Sequence, residues 1–227
     1  MIEVQGNGNI VSRELNVSTF VRLHLGCKGT VELHQGDEEK VMVEADENLI
    51  DCIAATNAGR TLFVSTSESL KRPAYTKCVV KIYLRQLNVL LVRNENGNVI
   101  CPGELTLHDP LDVKIQTVGN TELWVNAPAV KVLCQAQGNT LLKGSTAKLE
   151  IKSQCEGDFD ASRMIADDVS IKNMAQGNVK LHAEKLIRIT HLGEGFIHYA
   201  GNAVVKDVKQ YGDGEVKRVR QFGGEMQ

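Results

Sequence analysis

Two consecutive nineteen-residue segments, GNTELWVNAPAVKVLCQAQ (119–137) and GNTLLKGSTAKLEIKSQCE (138–156), say nearly the same thing twice. Each opens Gly-Asn-Thr, alternates polar and apolar residues, turns through small residues and alternates again. The interval extends beyond this pair: glycines followed by a polar residue or a strand-like run stand at 97, 119, 138, 157, 177, 195 and 214, spaced by 22, 19, 19, 20, 18 and 19. A period near 20 is the signature of a repeat architecture, in which one unit cannot bury its apolar side chains until the next lies against it.

The periodicity inside each unit selects the kind of repeat. TELWV and AVKVLCQ, TLLK and AKLEIKS, VKLHA and LIRIT all alternate with period two, as half-buried strands do. No unit has room for an amphipathic helix beside them, and the leucine-rich frame is missing. Two strands and their turns in about 20 residues fit one coil of a β-solenoid, with the next coil about 4.8 Å above it. The expected fold is all-β: a parallel β-helix with coils of about 19–22 residues. One inward stripe is predicted from Val113/Ile115, Val130/Val132, Leu149/Ile151, Val169/Ile171 and Ile187/Ile189, continued by Val204 or Val205. Lys114, Lys131, Glu150, Ser170 and Arg188 then face water.

The recurrent turn positions are Gly97, Asn98, Gly119, Asn120, Gly138, Asn139, Gly157, Asp158, Gly177 and Asn178. The glycines are expected to take positive φ at a tight corner. The residues after them either form a side-chain amide ladder or act only as local turn formers; the sequence leaves both open.

A single domain over 1–227 is the simplest division. Residues 1–96 hold less regular coils, with strands in VRLHLG, TVELHQ, KVMVEAD, RTLFVST, CVVKIYL and LNVLLVRN. An excursion from the stack is expected near 68–75, with Lys71, Arg72 and Pro73 at its exposed tip. Residues 97–216 hold the regular coils, and 217–227 form a charged tail that blunts the last edge.

Composition excludes several functions. Twenty-six basic side chains against 28 acidic ones give no broad surface for nucleic acid. One Trp, four Tyr and five Phe leave little for a stacking platform. No apolar run is long enough to span a membrane as a helix, and the opening residues lack the pattern of a secretory signal. Six cysteines, at 27, 52, 78, 101, 134 and 155, form no Cys-x-x-Cys. They read as small buried hydrophobes, with pairing between neighbouring repeats as the alternative.

The N-terminal stretch GNGNIVSRELNVSTFVRLHLGCKGTVELHQGDEEKVMVEADENLID and the closing GEGFIHYAGNAVVKDVKQYGDGEVKRV resemble the two ends of the bacterial family called putative auto-transporter adhesin, head GIN domain. The shared features are a Gly/Asn-rich start, an Arg-Glu-Leu step, VELHQG, VEADENL and a Tyr-x-Gly-Asn step. The resemblance implies a right-handed parallel β-helix, in a family found largely in Bacteroidetes whose members are mostly exported or lipid-anchored. It therefore implies a periplasmic or cell-surface location and carries no catalytic residue, metal or cofactor.

The residues themselves offer little chemistry. Paired carboxylates, as in glycoside hydrolysis, could come from Asp158/Asp160 or Asp167/Asp168, but turn formation accounts for both pairs. Histidines 24, 34, 108, 182, 191 and 198 do not converge in a metal-ligand pattern. Trp124, between Leu123 and Val125, should face solvent as a binding anchor or an oligomer contact. The expected function is non-catalytic: an adhesin-like protein presenting a rigid face to a protein or glycan at the cell surface, with homo-oligomers expected through an apolar patch or end to end. The alternative is a carbohydrate-active enzyme, lyase- or hydrolase-like, on the same scaffold.

Overall fold

The computed structural model describes residues 2–67, 71–94 and 97–222. These residues form twenty strands. β1 is Ile2–Gln5, β2 Ile10–Leu15, β3 Arg22–Gly26, β4 Thr30–Gln35, β5 Lys40–Asp46, β6 Ile53–Ala58 and β7 Thr61–Thr66. β8 is Lys71–Ala74, β9 Cys78–Leu84, β10 Val89–Val92, β11 Val99–Ile100, β12 Leu105–Thr106 and β13 Leu111–Ile115. Four long strands follow: β14 Thr121–Cys134, β15 Thr140–Ser153, β16 Phe159–Asn173 and β17 Val179–His191. β18 is Ile197–Ala200, β19 Val204–Gln210 and β20 Val216–Arg218. The one helical element among them is a 3-10 turn at Ile50–Cys52.

Eighteen strands join in one sheet that winds as a β-solenoid of about seven turns. Each long strand runs along both walls of a coil, so β14, β15, β16 and β17 pair in parallel over nearly their whole lengths. Alternation sets what fills the interior. In β14, Leu123, Val125, Val130 and Val132 are buried while Lys131 is exposed. Burying one such aliphatic side chain contributes about 1.5–3 kcal/mol, and the gain is available only once the neighbouring coil closes over it.

The inward stripe lies as expected from the second coil through β17: Val130 beside Leu149, Val169 and Ile187, with Val132 beside Ile151, Ile171 and Ile189; Val205 and Val208 continue the register on β19 but are exposed there. Its first member differs. Leu111 and Val113 align with Val130 and Val132, which places Ile115 beside Cys134 and Lys114 beside Leu133. The coil from 97 is three residues longer than the next one, and the pairing takes up that excess before β13: the offset falls from 22 at Val99/Thr121 to 20 at Leu105/Val125 and 19 at Leu111/Val130.

The glycine edge corrects the expectation of positive φ. Gly97, Gly119, Gly138, Gly157 and Gly177 have ordinary backbone angles. They are required for a different reason: a Cβ on each would overlap the carbonyl oxygen of the glycine one coil away, from Gly29 through to Gly214. Close backbone approach, not left-handed geometry, selects glycine. Beside it the Asn column bonds side chain to backbone. The Oδ1 atoms of Asn98, Asn120, Asn139 and Asp158 accept the amides of Asn120 (2.9 Å), Asn139 (2.8 Å), Asp158 (3.0 Å) and Asn178 (2.9 Å). An acceptor oxygen suffices, so Asp serves where Asn stands elsewhere. The amide–amide ladder occurs instead at glutamines: Gln116 Nε2 donates to Gln135 Oε1 at 2.9 Å, and Gln135 Nε2 to Gln154 Oε1 at 2.8 Å.

The N-terminal third departs from serial parallel coils. β3 and β4 pair with β10 and β11 on one side and with β7 and β9 on the other. Beyond β7 and β9 lie antiparallel strands: β6 on β7, β5 on β9 and β2 on β5. The solenoid is thereby closed at this end. Glu68, Ser69 and Leu70 of the expected excursion lie outside the described residues. Its remainder is no exposed tip: Lys71–Ala74 form β8, parallel to β1 in a separate two-stranded sheet, and Pro73 is buried.

Asp46 ties this small sheet to the body. Its carboxylate accepts the Thr76 hydroxyl at 2.6 Å and the amides of Gly8 and Thr76, both at 2.8 Å. Burial alone would raise its pKa; those hydrogen bonds outweigh burial and hold it at about 2.

The cysteines divide. Cys134 and Cys155, on adjacent coils with Cα atoms 6.0 Å apart, form a disulfide, as the pairing alternative required. Cys27, Cys78 and Cys101 are buried free thiols, each pushed up to about 12 chiefly by burial, and so are unreactive.

Candidate functional site

The long strands set a continuous outward face. Cross-strand register stacks Glu122, Leu141, Asp160, Lys180, His198 and Lys217 in one column. A second column, two residues along, stacks Trp124, Lys143 and Arg163 on successive coils. Leu123 and Val125 are buried at 1% and 2%, so alternation turns Trp124 outward, where it is 38% exposed.

Two adjoining depressions cut this face and share Leu141 and Asp160. The shallower, about 450 Å³, follows the Asn edge past Asn98, Asn120, Asn139 and Asp158. The other, about 570 Å³, is walled by Ser162, Arg163, Lys180 and His182 of the long strands and by Arg220, Gln221 and Phe222 of the tail. A bulge creates its shape. Between Leu141 and Lys143 the register of β15 on β16 slips by one residue, which brings Ser162 and Arg163 to the surface together.

Its charges are partly spent. Lys180 lies 3.9 Å from Asp160, whose Oδ1 accepts the Ser162 amide at 2.9 Å. Lys143 pairs with Glu122 beside the groove. The His182 ring bonds Glu184 at 2.5 Å; this bond first, and Asn202 second, lowers the Glu184 pKa. Arg163 and Arg220 have no ion-pair partner among the described residues.

Three of the four carboxylates singled out as acid pairs are engaged in structural bonds. Asp158 serves the edge ladder and Asp160 caps the bulge. Asp167 pairs with Lys185 at 2.8 Å, and that bond raises the Lys185 pKa. Asp168 lies in β16 between Lys148 and Leu186. Among the described residues no group of three or more His, Cys, Asp or Glu gathers as metal ligands. No helix there is long and apolar enough to cross a membrane. The groove itself escaped sequence reading, because its far wall comes from residues 220–222, about three coils away along the chain.

With the geometry in view, known proteins add the following. The profile of the family described as "Putative auto-transporter adhesin, head GIN domain" matches residues 19–203. No curated protein matches the chain. Among solved structures, a putative adhesin from Bacteroides fragilis superposes with a TM-score of 0.86 at 22% identity, covering 95% of this chain and 100% of that one. A putative adhesin from Parabacteroides distasonis gives 0.70 at 20%, covering 96% and 100%. A protein from the same species called a putative lipid binding protein gives 0.69 at 17%, with the same coverage. At such identities the likeness is one of fold.

Proposed function

The chain belongs to the putative auto-transporter adhesin, head GIN domain family, and from that premise we propose that it is a non-catalytic, adhesin-like protein of the cell surface or periplasm. It presents the outward face of β14–β17 to a protein or glycan. The observation that carries this reading is the register: three successive long strands, β14, β15 and β16, hold Trp124, Lys143 and Arg163 at fixed spacing on adjacent coils. A surface of that kind is ordered before contact, so little conformational entropy is lost on binding. The half-exposed Trp124 is the residue type that anchors interfaces. Two of the three solved neighbours are named putative adhesins, which agrees with an adhesive role, and the engagement of Asp158, Asp160 and Asp167 in structural bonds leaves the enzyme alternative without support.

The test is retention of protein-coated beads on glycan and cell-surface arrays under flow. Specific retention is expected, reduced several-fold by Trp124→Ala with the thermal midpoint unchanged. Retention that ignores this variant on every surface would sink the reading, as would turnover of any polysaccharide by the purified chain. Fractionation of producing cells should place the protein outside the inner membrane.

A further inference from the structure

We propose that the 570 Å³ groove binds an acidic saccharide, its carboxylate held between Arg163 and Arg220. The inference deepens the adhesive reading and rests on it, since it names a ligand class for the same face. The chain as a whole carries two more acidic than basic side chains, yet among the described residues this depression gathers Arg163, Lys180 and Arg220 against a single lining carboxylate, Asp160. Lys180 is loosely held by Asp160 at 3.9 Å, and His182 is committed to Glu184. Among the described residues the two arginines have no charged partner, which leaves their guanidinium forks open.

They reach the groove from separate parts of the chain, β16 and the tail. A planar fork matches a carboxylate with two parallel N–H···O bonds, a geometry lysine does not offer. The volume lies within the usual range for a small-ligand site. Its remaining walls suit a sugar ring. Phe222 and Leu141 offer apolar surface to a ring face, while the Ser162 hydroxyl, the Gln221 amide and the Asp160 carboxylate can bond ring hydroxyls.

Trp124, the only tryptophan, provides the readout. It stands in the Arg163 column two coils away, about 10 Å at the usual strand spacing. Its fluorescence in the full chain is titrated with uronate trimers and sialylated trisaccharides, with methyl-esterified uronate trimers and with inorganic phosphate. Submillimolar binding of at least one acidic saccharide is expected, weakening with salt. Its methyl ester, and the Arg163→Gln and Arg220→Gln variants, should each bind about ten-fold or more weakly, the scale of one lost charge-assisted hydrogen bond. Both arginines are exposed, so the melting curves of the variants should match the parent.

No binding of any acidic saccharide would overturn the inference, as would binding indifferent to both variants. Phosphate binding as tightly as the best saccharide would overturn it too, by reducing the site to a simple anion contact. The adhesive reading fails separately: beads still retained through Trp124 while acidic saccharides do not bind would discard this ligand and leave that reading standing.

Discussion

Adding one carbon at Gly138 would drive it into the carbonyl oxygen of Gly119. Backbone is on the other side of that contact, so neither coil can give way cheaply. Gly138→Ala is expected to cost about 1–3 kcal/mol, the scale of overpacking in a tight interior, read as a lower urea midpoint. Gly103→Ala, where a Cβ meets open space, should leave the midpoint unchanged or slightly raised. A second residue-scale prediction concerns pH. His191 is fully buried and burial lowers its pKa below 6.5, outweighing the opposing pull of the nearby Gly214 and Gly195 backbone. The unfolded chain therefore takes up the proton first. Stability owed to neutral His191 is whole above pH 6.5 and drains away as pH falls. Asp46 acts in a lower window: held at about 2 against an ordinary 3.8, its contribution is whole above 3.8 and lost towards pH 2. Urea midpoints should thus decline in two stages, and His191→Gln should lessen the upper one alone, the remainder coming from His24, whose pKa burial also lowers. The repeated glycines were visible in the sequence, but their reason was not. A twenty-residue spacing locates a contact between coils without saying whether φ or crowding demands the glycine.

Among the elements, β1 and β8 form a two-stranded sheet, an arrangement with little independent stability in water. Asp46 supplies the tie, through Gly8 and Thr76. Asp46→Ala is expected to speed amide exchange at Ile2–Gln5 and Lys71–Ala74 well before β14–β17 respond, as measured by hydrogen exchange with mass spectrometry. The strands themselves were largely legible. TVELHQ, KVMVEAD and CVVKIYL form β4, β5 and β9 over those same residues. Their partners were not, because period-two alternation is identical in parallel and antiparallel strands. Only where repeats of equal length follow one another does sequence order dictate spatial order. The same limit hid the groove: a one-residue bulge at Leu141/Lys143 and a tail returning from residue 220 leave no periodic mark.

For the molecule as a whole, the two ends of the stack differ. One is closed by antiparallel β2, β5 and β6. The other ends in β19 and β20; β19 is exposed along its length, with Val204 at 70%, and Tyr211 just beyond it is 72% exposed. Such an edge invites another chain. Two devices oppose that here: an extra residue, Lys206, bulges β19 against β17 between Val205 and Asp207, and Lys206, Asp207 and Lys209 put charge along the rim. Replacing the pair, Lys206→Val with Asp207→Val, is expected to convert a dispersed protein into end-to-end assemblies, seen as a concentration-dependent mass in light scattering. An unchanged mass would mean that the bulge suffices by itself.

The out-of-order placement of β7 and β9 beyond β3 and β4 carries a consequence for biosynthesis. The first winding in chain order cannot serve as the foundation, because the strands lying beneath it follow it in sequence. About ninety residues must therefore be complete before the lowest floor exists. From β10 onward each new winding is laid on one that precedes it in sequence, so construction becomes vectorial, proceeding away from the sealed base in chain order.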